Sequence, residues 1–214
     1  LSNDVRTGQV LMFDEHSIVI QVIEGTSGLT ANTTEIMFLD DIFKIGVSRE
    51  MIGRRFNGLG HPIDGGTEIL AEEIREIQGS PINPVRRQYP KDVIQTGVSS
   101  IDCLNTLVRG QKLPIFTGQG LPHNKLIAQI VNKAKVITNE PFVVIFCGIG
   151  LLAEEALYFQ QKFEESGTTR VISFINLASE PPIERLIAPR IALTTAEFLA
   201  FNHDMHVLVV LSDI

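Results

Sequence analysis

The chain has little cysteine, little positive charge and no long apolar run. Its two cysteines, Cys103 and Cys147, both stand in apolar surroundings. They read as buried, reduced thiols rather than a disulfide framework or a metal knuckle. No apolar run approaches the ~20 residues of a membrane-spanning helix. No direct membrane insertion is therefore expected, and nothing at the start resembles a secretory signal. Lys and Arg number 18 against 25 Asp and Glu, for a net charge of −7. A nucleic-acid binder carries a basic footprint, so that class is set aside, although a local site can still accept a nucleotide. Low-complexity tracts are absent as well. The default location is the cytoplasm.

What is present is a chain of 214 residues, 44% apolar, enough for one or two domains with a sizeable core. It begins without Met just ahead of a strand and stops directly after a strongly apolar one, which reads as a truncated piece of a longer chain. Residues 1–46 are dense in β-branched residues and turn signals. "GQVLMFDEHSIVIQVIEG" predicts strands over 9–13 and 17–23 around the turn Asp14-Glu15-His16, with a further strand over 35–39. Short strands with tight turns suggest part of an antiparallel β-barrel. Residues 47–97 are rich in Gly and Pro and predict an extended crossing with little regular structure. The Arg86-Arg87 pair within it reads as solvated or interface charge.

From residue 97 the pattern changes. "VSSIDCLNTLV" predicts a short helix capped by Ser99 or Ser100, and "QKLPIFTG" a strand. "NKLIAQIVNKAKVI" carries apolar residues at helical spacing. "PFVVIFCGIG" is a continuous apolar run, as in a strand buried on both faces. Helix, strand, helix and strand follow, with Pro189 marking a kink or join in the last helix. The alternation predicts a parallel-sheet α/β domain over 47–214.

The stretch "IFTGQGLPHNKL" lies where a nucleotide-binding fold keeps its phosphate loop. Such a loop, G-x-x-x-x-G-K-[ST], aims backbone N–H groups at a phosphate and adds a lysine and a hydroxyl for Mg²⁺. Thr117, Gly118, Gln119, Gly120, Leu121, Pro122, His123 and Asn124 occupy that span. Thr117 and Pro122 replace the two framing glycines, His123 the lysine and Asn124 the hydroxyl residue. Pro122 removes one donor, and a neutral imidazole does not match a fixed ammonium. The stretch therefore reads as a degenerate phosphate loop with weak or absent phosphate affinity, or as a capped strand-to-helix turn. Asp213 ends the last apolar run, where an acidic residue can hold Mg²⁺ through water (a Walker-B-like position). After Gly150, where a carboxylate could polarise an attacking water, stand Leu151 and Leu152, with Glu154 and Glu155 inside the following helix. No catalytic residue is assigned. His203 and His206 lack a third ligand, so no metal site is assigned either.

The ordered motifs "IQTGVSSIDCLNTLVRGQKLPIF", "GLPHN", "VVIFCGIGLLAEEA", "INLASEPPIERLIAPRIALTTAEFLAF" and "MHVLVVLSDI" closely resemble the B subunit of V-type and A-type rotary ATPases. "GQVLMFDEHSIVIQVIEGTSGL" and "IGRRFNGLGHPIDGG" match it too. Lys125 and the Cys147-Gly148 pair depart from the usual pattern. The resemblance implies a RecA-like P-loop domain after the partial barrel, in a non-catalytic, regulatory subunit. It implies a ring alternating with catalytic A subunits, contacts to central and peripheral stalks, and coupling of ATP hydrolysis or synthesis to proton or sodium transport. ATP or ADP with Mg would sit at the A–B interface, none of it bound tightly by this chain. The assembly would be cytoplasmic and peripheral to the membrane. Arg109, Gln111, Arg185 and Arg190 are the interface candidates. Competing with this are a catalytically active hexameric P-loop ATPase with an unusual loop and a free-standing interaction module.

Overall fold

The computed structural model describes residues 5–39, 43–79, 81, 83–86, 89, 91–118, 120–137, 140–167 and 169–213. Two strands, β1 (Gly8–Phe13) and β2 (Ile18–Val22), pair antiparallel across the expected turn, which the Asp14 N–H closes on the Ser17 carbonyl at 2.8 Å. The strand expected over 35–39 does not form. A strand needs a ladder partner, and among the described residues this run has none; Ile36, Met37, Phe38 and Leu39 are exposed.

The Gly- and Pro-rich crossing is more ordered than its composition suggests. β3 (Lys44–Val47) pairs antiparallel with β5 (Glu73–Glu76). Between them, β4 (Arg55–Asn57) enters the main sheet, with Phe56 fully buried. The glycines punctuate rather than abolish structure. Arg54 grips the Asp64 carboxylate through two bonds of 2.7 Å and so staples the turn after β4. A third small sheet joins β6 (Val93–Gln95), β7 (Leu107–Val108) and later β8 (Lys135–Val136). The helix between β6 and β7, α1 (Ser99–Leu104), has Val98 at its cap position; neither serine caps it, and Asp102 accepts instead from Thr96 and Gly97 upstream.

The main sheet follows α2 (His123–Lys133). β9 (Phe142–Leu151), α3 (Ala153–Glu165), β10 (Val171–Leu177), α4 (Pro182–Asn202) and β11 (His206–Ser212) alternate in sequence. The strand order is β11-β9-β10-β4, all parallel. α4 runs as one helix through Pro189, so the expectation of a kink or a join resolves at least against a join. Side-chain alternation divides β9 between two cores. Val143, Ile145, Cys147 and Ile149 meet α4 and the crossing, while Phe142, Val144 and Phe146 meet α2 and α3. That is the double burial expected of a continuous apolar strand.

The expected strand "QKLPIFTG" also fails to join a sheet. Residues 111–118 make no ladder among the described residues, and Phe116 is 92% exposed.

Candidate phosphate-loop site

In an open parallel sheet, ligands sit outside the carboxyl ends of the strands. Here those ends are Asn57, Leu151, Leu177 and Ser212. The degenerate loop reaches this rim by running into α2, with Pro122 at the cap position. Gln119 lies outside the described residues, and Thr117 and Gly118 are exposed. Two of the loop's donors point back into the loop. The Leu121 N–H donates to the Gly118 carbonyl at 3.2 Å and the His123 N–H to the Leu121 carbonyl at 2.8 Å. The N–H groups of Lys125 and Leu126 both take the Pro122 carbonyl. The His123 ring turns the same way, with Nδ1 3.1 Å from the Leu121 oxygen.

Asn124 points elsewhere. Its side-chain amide donates to Glu155 Oε1 at 2.9 Å, and Glu155 Oε2 accepts the Leu152 N–H at 3.0 Å. Those two bonds, the backbone one foremost, and the nearby His123 hold the Glu155 carboxyl below its ordinary range. The residues 121–125 and Glu154, Glu155 and Tyr158 enclose an open cavity of about 250 Å³.

Leu151 folds back over Gly148 and is 1% exposed, among Phe146 and Phe159. Its side chain belongs to the core, not to the rim. Gly150 beside it has φ +62, a left-handed backbone that glycine tolerates best. Side chains pin this end of β9 from both sides: Ser212 Oγ accepts from the Ile149 N–H at 3.3 Å and Asn176 Oδ1 from the Gly150 N–H at 3.1 Å. Asp213 follows at the tip of β11, exposed and itself at φ +52.

The interface candidates fall in two places. Arg109 and Gln111 share the turn after β7. The Arg109 N–H donates to the Asp92 carbonyl at 2.8 Å, and Gln111 Oε1 accepts from the Val108 N–H at 3.2 Å. Arg185 and Arg190 lie on α4. Arg185 donates to the Ala178 carbonyl at 2.7 Å, with its Nε close against Gly150. Arg190 lines an open hollow of about 510 Å³ with Gln78 and Glu197. The Arg87 half of the arginine pair, and the Arg86 side chain, lie outside the described residues. His203 and His206 face different carboxylates, Glu72 and Glu140. Among the described residues no group of three His, Cys, Asp or Glu side chains is placed to hold a metal, and no helix is long and apolar enough to cross a membrane.

Sequence reasoning passed over Glu155, because a carboxylate inside a helix has no evident reach to the loop. It also passed over Asn176 and Glu184 at the rim. A Glu three residues after a helix start signals half of a capping box, but Leu152 supplies no oxygen for the other half.

Two family models match the chain. The ATP synthase alpha/beta family, nucleotide-binding domain, covers residues 97–214, and the beta-barrel domain of the same family covers residues 1–40. Among solved structures, the chain is similar to the ATP synthase subunit NeqB from Nanoarcheaum equitans, at 37% identity over 80% of this chain and 41% of that one, with TM-score 0.70. It is also similar to the assembled ATPase EscN of the enteropathogenic E. coli type III secretion system, at 25% identity over 98% of this chain and 50% of that one, with TM-score 0.86. The chain thus spans half or less of the length of these relatives.

Proposed function

The chain belongs to the ATP synthase alpha/beta family, and from that premise we propose that it acts as the non-catalytic B subunit of a V- or A-type rotary ATPase. Its part is to form interface sites with a catalytic subunit and to couple ATP turnover to ion transport. In this proposal the subunit alternates with catalytic A subunits in a hexameric ring, peripheral to the membrane and in contact with the stalks. Nucleotide and Mg sit at the interface, and Arg109, Gln111, Arg185 and Arg190 face neighbours or moving loops. The division of labour is a partial barrel over 1–46 and a RecA-like domain over 47–214.

The observation carrying this reading is the state of the two catalytic positions. The loop has no lysine or hydroxyl where a phosphate and Mg²⁺ would be held, and its Leu121 and His123 N–H groups bond to its own carbonyls. The side chain at position 151 is a leucine packed in the core, so a general base is missing where an attacking water would need one. A second reading, an active hexameric ATPase with an unusual loop, is favoured by the match to EscN across 98% of the chain.

Calorimetric titration with Mg-ATP separates the two. The native chain is expected to bind none detectably. The Pro122→Gly/His123→Lys/Asn124→Thr variant is expected to bind more tightly than the native chain, since the turn regains its donors. Native binding near micromolar, about −8 kcal/mol, would favour the active ATPase instead.

A further inference from the structure

We propose that Glu155 is an internal competitor for the degenerate loop: its carboxylate captures the side-chain donor of Asn124 and keeps a negative charge against the start of α2, turning phosphate groups away. This inference rests on the reading of the loop as phosphate-silent and supplies a second cause for that silence, independent of the missing lysine.

The geometry is a two-point clamp. Glu155 Oε2 is fixed by the Leu152 N–H at 3.0 Å, and Oε1 then meets the Asn124 amide at 2.9 Å. A bidentate carboxylate anchored on its own helix has few other places to go. The half-buried side chain stays ionised at neutral pH, because those same bonds favour the charged form. An N-terminal helix end attracts anions through its partial positive charge. At α2 that attraction is already answered from within the chain. The cavity above the loop inherits the result. Lys125 is on its wall, but so are Glu154 and Glu155, and a phosphate entering it meets carboxylates at short range. Glu154 is the internal comparison: it lines the same cavity and carries the same charge, yet is exposed and has no hydrogen bond to the loop among the described residues.

The test uses the 214-residue chain carrying His123→Lys, which restores a fixed positive charge to the loop, titrated calorimetrically with inorganic pyrophosphate. Adding Glu155→Gln is expected to raise affinity about tenfold or more, while adding Glu154→Gln changes it less than about threefold. Thermal melts accompany each protein. Should Glu155→Gln lose its cooperative melt, Glu155→Ala replaces it, since it removes both the charge and the clamp; a gain in affinity there also supports the clamp. Equal gains from the two glutamines, or no gain at position 155, overturns the competitor role while leaving the non-catalytic assignment intact. Micromolar Mg-ATP binding by the native chain would overturn that assignment instead, whatever the order of the variants.

Discussion

Glu184 shows what one side chain can impose. It is 7% exposed, pressed between Gly58 and Asn176, and its Oε2 has no hydrogen-bond partner among the described residues. Burial first, then the charges of Glu180 and Glu24, raise its pKa above the ordinary range. The folded chain therefore keeps this proton to a higher pH than the unfolded chain does. The stability this contributes is complete below the ordinary glutamate value of about 4.3 and is lost as pH rises through the higher folded value. Glu184→Gln removes that dependence. Thermal melts from pH 4 to 8 should show the variant gaining on the native chain as pH rises. Legibility at this scale was uneven. The replacements at Pro122, His123, Asn124 and Leu151 could be read directly, because a local motif fixes which residue type belongs where. Glu155 could not, because its reach to Asn124 exists only once α3 lies beside α2.

At the scale of elements, β9, β10, β11 and their helices were evident from long apolar runs and helical spacing. β4 was not. Three residues carry no measurable period, and Phe56 among glycines gives no hint that it stacks on Phe174 with ring centroids 5.4 Å apart. The reverse error occurred at 111–118 and 35–39, where apolar, β-branched composition suggested strands but no neighbouring strand is present among the described residues to complete them. Composition supplies a propensity, and a sheet requires a partner. Phe56 is accordingly the weight-bearing residue of β4. Phe56→Ala is expected to cost about 3–5 kcal/mol, read as a lower urea midpoint with an unchanged slope.

For the whole molecule, the sheet separates two cores, and the two thiols report on opposite environments. Cys147 is fully buried in the middle of β9, and burial pushes its thiol up to about 12; Cys103, expected to be buried, is instead exposed on α1. A thiol-reactive chromophore should therefore modify one cysteine per folded chain promptly. The second should react only at the rate of global opening, since its strand contributes to both cores. Two prompt thiols would mean that the central strand is not packed as described. The α/β class followed from alternation of the elements. The sheet order did not, because the edge next to β10 is filled from an unexpected direction.

That edge also sets a schedule. β4 pairs with a strand roughly 120 residues further along the chain. On a ribosome adding ~5–20 residues per second, Phe56 waits on the order of ten seconds before its ladder partner has been made. For that interval the crossing carries an unshielded aromatic until β10 emerges and closes the sheet.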